Sequence, residues 1–235
     1  MKSNTDYKNA ALAALKGNWW KAVLAVVIYM AVYYIAMLPY MFETTKMAVF
    51  LEESSSNPDP AVLLSMMGRM YAMMGILYLV VFLVGMPLSV GLLHSFRKLL
   101  AEGNNAIPEN MYKSATTHYW HKVWGMFLMG VFIALWSMLL IIPGIIKTFS
   151  YAMTPYILDE HPELSANDAI DRSRAMMKGH KFDLFWLLLS FIGWGILCVF
   201  TLGIGFLWLT PYMETSMAAF YEDLKADYEV NGGLI

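Results

Sequence analysis

The sequence predicts an all-α membrane protein with six transmembrane helices, arranged as three hairpins that are each preceded by a short amphipathic surface helix. Of its 235 residues, 59% are hydrophobic and 14% are charged, whereas a soluble domain carries roughly 25% charged residues. Four stretches without charge each exceed the roughly 20 residues that a helix needs to cross a bilayer, namely 22–42, 71–93, 123–146 and 184–213. These solid apolar blocks favour helices over a β-barrel.

The chain opens with a short helix and a first span. Residues 5–16 place apolar side chains on one helical face, which is typical of a helix on a membrane surface, and Gly17 is positioned to cap it. The apolar run that follows is too long for the core of a secretory signal and is not followed by an A-x-A cleavage site. An uncleaved membrane anchor is therefore predicted.

The first hairpin is predicted from a loop and a helix start. The first span runs to about residue 42, and the polar loop EESSSNPDP follows it. Asp59 and Pro60 are typical of an N-cap and a first helical position, so a second long helix is predicted from there. The G-M-P sequence at 85–87 is expected to kink this helix, because the apolar pattern continues to residue 93.

The third and fourth spans meet in IIPGIIK, residues 141–147. One helix across 123–158 would be roughly 54 Å long, far more than the hydrocarbon core of a bilayer. Since Pro followed by Gly is a common turn pair, we predict a tight turn at Pro143 and Gly144. The third span then covers about 120–142 and the fourth about 145–158.

A polar helix, a fifth span and a sixth span complete the prediction. Ser165 with Asp168 resembles a capping box, and Gly179 is positioned as the C-cap. The fifth span covers about 182–201, the G-I-G sequence at 203–205 supplies a turn, and the sixth span covers about 206–221. The chain is predicted to be one polytopic membrane domain, with repeat-like units at about 1–101, 106–164 and 165–225 and a flexible tail at 226–235.

Charge placement agrees with six spans and orients them. With the N-terminus in the cytoplasm, only Lys46, Arg69 and Lys147 of the 16 basic residues fall outside or near the outer face. This asymmetry is what the positive-inside rule requires. A four-span arrangement would scatter the same charges over both faces, so the N- and C-termini are predicted to be cytoplasmic.

Short recurring sequences suggest an internal repeat. An H-K pair at 121–122 precedes a hairpin whose second helix contains T-P-Y at 154–156, and an H-K pair at 180–181 precedes one that contains T-P-Y at 210–212. Pro87 matches Pro211, because each has a phenylalanine nine residues on. We infer three related units, each with a proline in its second membrane helix.

The longer sequence patterns resemble a known family. IIPGIIKTFSYAMTPYIL, ELSANDAIDRSRAMMKGHKFDLF and LSFIGWGILCVFTLGIGFLWLTPYMETSMAAFYEDL are similar to the bacterial integral-membrane family called domain of unknown function nine-seven-five, and ALKGNWWKAV resembles its N-terminal signature. The match is close over 141–225 and loose before that. The resemblance implies a polytopic protein of the bacterial inner membrane with no assigned activity, and it supplies no catalytic residues.

Glu214 is the first candidate for chemistry. It lies about 13 Å into the sixth span, close to the midplane, where a carboxylate costs several kcal/mol unless it is neutral, paired or facing water. One interpretation is a proton or cation site with Tyr156 and Tyr212, assisted by backbone groups freed near Pro155 and Pro211. The other is a protonated or hydrogen-bonded glutamate that holds helices together.

Other polar residues are interpreted structurally. Lys147 is expected to be an outer-face anchor whose ammonium reaches water, with pairing to Glu43 or to an anionic lipid as the alternatives. DEHPE at 159–163 could offer metal ligands, but its position before the Ser165 cap favours a solvated helix entry, and His94 is expected to make interfacial hydrogen bonds. Packing explains the methionine spacing better than a Cu(I) site does, so no metal or cofactor is predicted.

The predicted function is non-enzymatic. The chain has no H-E-x-x-H, G-x-S-x-G, P-loop or G-x-G-x-x-G motif, which favours an interaction, scaffolding or membrane-maintenance role. The predicted partners are the lipid bilayer and other membrane proteins or a second copy. The sequence does not indicate a small-molecule substrate, and the net charge of −2 argues against nucleic acid. The alternative is a small transporter or lipid-handling protein with a site near Pro155, Pro211 and Glu214. Intramembrane enzyme chemistry at Glu214 with a histidine is a third hypothesis.

Overall fold

The computed structural model describes residues 1–54 and 58–230, and within them the protein is helical throughout, with 85% helix and no strands. The helices are α1 Asn4–Leu15, α2 Trp19–Glu53, α3 Pro60–Val80, α4 Met86–Glu102, α5 Ile107–Thr116, α6 Tyr119–Leu139, α7 Ile141–Ser150, α8 Thr154–Glu160, α9 Ala166–Met176, α10 Lys181–Leu189, α11 Ile192–Phe200 and α12 Phe206–Val230. A π-helical turn, Val81–Gly85, joins α3 to α4, so the helix continues through the expected kink.

Four helical stretches in the described part of the chain are long and apolar enough to cross a membrane. They are Trp19–Glu53, Pro60–Glu102, Tyr119–Leu139 and Lys181–Phe200. This finding agrees with the predicted class of helical membrane protein. It does not reach the predicted number of six spans, because α7, α8 and α12 are too short, too interrupted or too polar to be counted.

The chain forms two compact units, which are described separately. The smaller unit is Ile28–Gly85, and the larger unit combines Met1–Val27 with the chain from Met86 onward. In the smaller unit, Glu43 of α2 binds Arg69 of α3 at 3.1 Å, and Tyr33 lies against Gly85. Glu43, the later residue of α2, contacts the earlier residue Arg69, and Tyr33, the earlier residue of α2, contacts the later residue Gly85. The two segments therefore run antiparallel. Asp59 caps α3 as predicted, with its side chain accepting the Ala61 N–H at 2.8 Å.

The predicted amphipathic helix at the N-terminus exists, and its apolar face is buried against the rest of its own unit. Ser3 caps α1, and Gly17 follows it with a φ of 81°. The Tyr7 ring packs edge-on against Phe220 at 5.5 Å, and its hydroxyl donates to Asp223 at 2.7 Å. The apolar face of α1 therefore packs on α12, because α12 supplies both an apolar surface and a hydrogen-bond acceptor.

The other two short polar helices also pack on their own unit. In α5, the backbone of Met111 lies so close to Gly91 of α4 that any side chain at position 91 would collide with it. In α9, Ser165 caps the first turn by accepting the Asp168 N–H at 3.2 Å, as predicted. Ser173 is buried and donates to the Ser150 carbonyl at 2.9 Å.

The predicted turn at Pro143 and Gly144 is misplaced. The chain reverses at Leu140, whose backbone is extended between α6 and α7. Pro143 lies in the first turn of α7, where the N–H that proline lacks has no helical partner anyway. Gly144 packs against Ser137, and Leu158 of α8 packs against Gly125 of α6. α7 and α8 therefore return antiparallel along α6.

The last helix pair turns where the sequence predicts. Residues 201–205 form the turn, with Gly203 at a φ of 87°. Gly205 contacts Cys198, and the Phe191 and Tyr212 rings meet at 5.1 Å, so α12 runs antiparallel to α10 and α11. α12 continues to Val230, which makes residues 226–230 helical although a flexible tail was predicted there. Residues 231–235 lie outside the described part.

Candidate functional site: a buried charge cluster

Two adjacent carboxylates at the end of α8 lie at the centre of a buried charge cluster in the larger unit. The side chain of Asp159 is 5% exposed and that of Glu160 is 11% exposed. The prediction of a solvated helix entry at 159–163 is therefore wrong for these two residues. They follow the buried residues Ile157 and Leu158 directly, and helix packing carries them below the surface.

Asp159 connects α8 to three other helices. Its carboxylate binds His94 Nδ1 of α4, accepts from Ser114 Oγ of α5 at 2.6 Å, and binds Lys122 Nζ of α6 at 2.7 Å. Lys122 is itself only 3% exposed, and its ammonium also donates to the Ser114 carbonyl at 2.7 Å. The buried lysine thus has a full set of acceptors.

Glu160 connects α8 to α4 and α12. It binds Arg97 Nη1 and the Tyr221 hydroxyl, and it accepts from Lys225 Nζ at 2.9 Å. The same Arg97 nitrogen lies 3.3 Å from Glu222 Oε1. One arginine therefore joins the end of α8 to the C-terminal half of α12.

The electrostatics of the cluster favour the ionised forms. Burial raises the pKa of Asp159, but the hydrogen bond from His94 and the charge of Lys122 outweigh it and hold that pKa well below its usual range. Burial opposes ionisation of Glu160 too, yet the Tyr221 and Lys225 hydrogen bonds and the Arg97 charge leave its pKa lowered. The carboxylates and cations neutralise one another, so the arrangement acts as a clamp between helices.

The structure brings together only part of the predicted intramembrane site. Tyr156 is buried and stacks on Tyr221 with ring centroids 4.6 Å apart, and it lies within electrostatic range of Glu214. In the described part of the chain, the Tyr156 hydroxyl and the Thr154 hydroxyl are buried without a hydrogen-bond partner. Glu214 is half-buried and makes no described hydrogen bond or ion pair.

The remaining predicted residues lie in different settings. Pro155 occupies the first turn of α8, so it starts a helix and leaves no carbonyl free. Pro211 lies inside α12, where the missing N–H does remove a helical hydrogen bond. Tyr212 packs on Phe191 and lines an apolar cavity of about 440 Å³ to which neither Tyr156 nor Glu214 contributes. Tyr212 is therefore separate from the Tyr156 and Glu214 pair.

Lys147 lies over an aromatic ring. Its ammonium is 4.4 Å from the centroid of Trp136, and Glu43, the alternative partner, binds Lys46 and Arg69 instead. Ile146, the residue before Lys147, lines a cavity together with Lys178 and Lys181. The charge pattern assigns those two lysines to the cytoplasm and Lys147 to the outer face, and this neighbourhood means that the two predictions do not agree with each other.

Among residues 1–54 and 58–230, no group of three or more histidine, cysteine, aspartate and glutamate side chains could hold a metal ion. That the protein needs no metal or cofactor stays a prediction.

Sequence reasoning missed the Asp159 and Glu160 cluster, although one signal was present. Two acidic residues follow the apolar YIL without a turn residue between them, which places them on the last turn of an apolar helix.

The all-helical fold and its four long apolar stretches indicate a helical protein of the membrane type. Residues 138–228 carry a domain of the family described as protein of unknown function (DUF975), which confirms the resemblance predicted from IIPGIIK onward. This region includes Asp159, Glu160, Glu214 and Lys225. No curated protein matches the chain, and no solved structure matches it.

Proposed function

We propose that the chain is a multi-pass protein of the bacterial inner membrane, with both termini in the cytoplasm, and that it acts without catalysis in interaction, scaffolding or membrane maintenance. The observation that carries this proposal is the mutual neutralisation of the buried charges. Asp159 and Glu160 are satisfied by partners on four other helices, which suits a rigid scaffold. A hydrolytic or proton-transfer site would instead present a charged group with spare bonding capacity to a substrate.

The arrangement in the membrane follows from the three antiparallel helix pairs, which are what six crossings would require. Two of the pairs lie at the short end of the range that crosses a bilayer, although each contains a helical stretch long enough to do so. Leu140 lies roughly 27 Å along the chain from Lys122 and Gly205 roughly 26 Å from Glu222, whereas the hydrocarbon core is roughly 30 Å thick. The position of Lys147 beside two lysines assigned to the cytoplasm points the same way. We therefore propose two full crossings, by α2 and by α3 with α4, and two inserted hairpins whose tips end in hydrocarbon.

A complementation experiment tests the scaffolding proposal. Cells that lack the protein are expected to take up more of a membrane-impermeant dye, and wild-type protein should restore the barrier. Glu214→Gln and Tyr156→Phe should restore the barrier equally, because neither residue belongs to the buried charge cluster. If these two variants reach the membrane at normal levels but fail to restore the barrier, the scaffolding proposal is wrong.

Transport or lipid handling around Glu214 is the second candidate. The supporting observation is that Tyr156, Thr154 and Glu214 carry polar atoms without a described partner, so they have bonding capacity to offer a proton, a cation or a polar headgroup. Purified protein in liposomes that contain a trapped pH-sensitive dye should then show a proton flux that Glu214→Gln abolishes. Glu229→Gln, on the exposed end of the same helix, is the matched control. Equal flux with wild-type, Glu214→Gln and protein-free liposomes would eliminate this candidate for protons.

A further inference from the structure

A cavity beside α7 combines an apolar floor with a basic rim. It measures about 410 Å³ and lies between α7 and the start of α10, within the range of roughly 300–1,000 Å³ that is usual for small-molecule sites. Its walls come from aliphatic and aromatic side chains, and its rim comes from the segment between α9 and α10. The lining residues are Ile145, Ile146, Phe149, Lys178, Gly179, Lys181, Phe182 and Phe185.

The rim carries positive charge that the protein does not neutralise. In residues 1–54 and 58–230, no carboxylate forms an ion pair with Lys178, Lys181 or Lys147. Arg174, one turn before Lys178, already binds Asp171 at 2.7 Å. Lys178 is exposed and Lys181 half-buried, so both ammonium groups can reach a ligand in the cavity. An anionic group is therefore the missing complement of this rim.

The floor decides which anion fits. Phe182 is 74% exposed and Ile145 is 53% exposed, and such apolar surface is stable only against another apolar surface. A free phosphate ion would meet the lysines but leave the floor uncovered. A phospholipid satisfies both parts, because its phosphate lies where lysine side chains reach the membrane interface and its acyl chain lies along the apolar wall.

We propose that this cavity binds one anionic phospholipid, with its headgroup phosphate on Lys178 and Lys181 and its acyl chain along α7 and α10. The site is distinct from the buried charge cluster around Asp159 and Glu160 and from the Glu214 region. It does not depend on either candidate in the proposed function, since a scaffold and a transporter could each use a bound lipid. Lys147 does not line the cavity, but it lies within electrostatic range of Lys181 and adds positive charge nearby.

The test compares lipid binding by wild-type protein and by Lys178→Gln/Lys181→Gln. Purified protein in detergent is titrated with phosphatidylglycerol and, separately, with phosphatidylcholine, and bound lipid is counted by native mass spectrometry. Wild-type protein should retain phosphatidylglycerol preferentially. Loss of both lysines should weaken phosphatidylglycerol binding about 30-fold, or about fivefold for each charge near the interface. Phosphatidylcholine binding should change little.

Matched controls separate this site from general surface charge. Lys16→Gln/Lys21→Gln removes two exposed basic residues that are also assigned to the cytoplasmic side, and it should leave the preference for phosphatidylglycerol intact. Phe182→Ala should weaken phosphatidylglycerol binding while the lysines remain. Circular dichroism and size-exclusion chromatography establish that each variant is folded.

Three results would overturn the proposal. The first is an unchanged preference for phosphatidylglycerol in the folded Lys178→Gln/Lys181→Gln variant. The second is an equal loss in Lys16→Gln/Lys21→Gln, which would mean that any surface lysine serves. The third is displacement of phosphatidylglycerol by inorganic phosphate at similar concentration, which would assign the rim to a free anion.

Discussion

The helix pair of α2 and α3 and the helix pair of α10–α11 and α12 share an antiparallel plan but end differently. In the first pair, α2 ends on the polar residues Glu52, Glu53 and Ser54. Glu43, further back in α2, forms ion pairs with Lys46 and Arg69. The second pair ends on a turn in which Leu202 is 94% exposed. The reversal between α6 and α7 resembles the second type, because Ile141 is 76% exposed there.

The difference shows that the polarity of the residues at the end of a helix pair indicates whether that end is stable in water or in lipid. Charged ends are stable in water, and exposed apolar ends are stable in lipid. α2 has 35 residues, or roughly 52 Å, which exceeds the hydrocarbon core and leaves its polar end in water. The shorter pairs have exposed apolar ends, which is why we propose that the same plan serves two insertion depths.

Ion pairs in the two units differ in burial as well. Glu43 is 11% exposed, but its partners Lys46 and Arg69 are 48% and 53% exposed. In the other unit both members of the pair are buried, because Asp159 is 5% exposed and Lys122 is 3% exposed. Exposed pairs contribute roughly 0–1 kcal/mol. A buried pair is costly to break, because the remaining charge has lost its water and its partner.

Thiol labelling should produce the largest contrast between the two kinds of helix end. In a Cys198→Ser background, Ser54→Cys should react with a membrane-impermeant maleimide added to intact cells. Leu202→Cys and Leu140→Cys should stay unreacted until the membrane is dissolved, because a thiol in hydrocarbon meets no aqueous reagent. Asn104→Cys, in a loop assigned to the cytoplasm, should react only after permeabilisation. If Leu202→Cys is labelled from outside at the same rate as Ser54→Cys, the inserted-hairpin proposal is wrong and the helix pair of α10–α11 and α12 crosses the membrane fully.

Breaking the buried ion pair should cost more than breaking the exposed one. Asp159→Asn leaves Lys122 buried without its carboxylate and should lower the free energy of unfolding by about 3–5 kcal/mol. Glu43→Gln should lower it by about 1 kcal/mol or less. Denaturant unfolding in detergent, followed by circular dichroism, measures both values. Asp159→Asn/Lys122→Met should recover part of the loss, and no recovery would mean that the charge of Lys122 is not the cause.

A charge placed on an apolar helix end should resist insertion. Leu202→Arg puts a guanidinium where we place hydrocarbon, and the cost is about 2.5–3.5 kcal/mol near the membrane centre, falling toward the interface. Glu52→Arg, on the polar end of α2, should cost almost nothing. The fraction of protein recovered in the membrane after expression compares the two variants. Equal recovery would place Leu202 at a water interface.

Acid should weaken the charge cluster by a small amount. Because the pKa of Asp159 and that of Glu160 are lowered in the folded protein, their contribution to stability is complete above the unfolded values of about 4 and is lost as pH falls through the folded values. At pH 3 the loss should be about 1 kcal/mol for Asp159. Asp159→Asn should reduce the fall in thermal midpoint between pH 5 and pH 3, and an identical fall would assign it to other groups.

Local features of the fold could be predicted well from the sequence. The caps at Ser165 and Asp59 and the glycine after α1 were predicted because each depends on hydrogen bonds and backbone angles within a few residues. The reversal at Leu140 was not, since a Pro-Gly pair also fits the first turn of a helix. Its position depends on the packing of Gly144 against Ser137, which is a contact between helices.

The candidate site could be predicted only in part for the same reason. The position of Glu214 in an apolar helix marked it from the sequence, and the structure places Tyr156 near it while leaving Tyr212 elsewhere. Asp159 and Glu160 were interpreted as solvated residues. Their partners lie 37 to 65 residues away along the chain, and no local pattern indicates which distant helix supplies the opposite charge.

The sequence by itself determined the helical membrane class and the caps of several helices. These properties follow from composition, run length and local hydrogen bonding. Only the tertiary structure decided that the apolar face of α1 packs on α12, that Asp159 and Glu160 are buried, and that Lys178 and Lys181 border an apolar cavity. Each of these depends on which helices become neighbours, and burial and pairing exist only once those neighbours are in place.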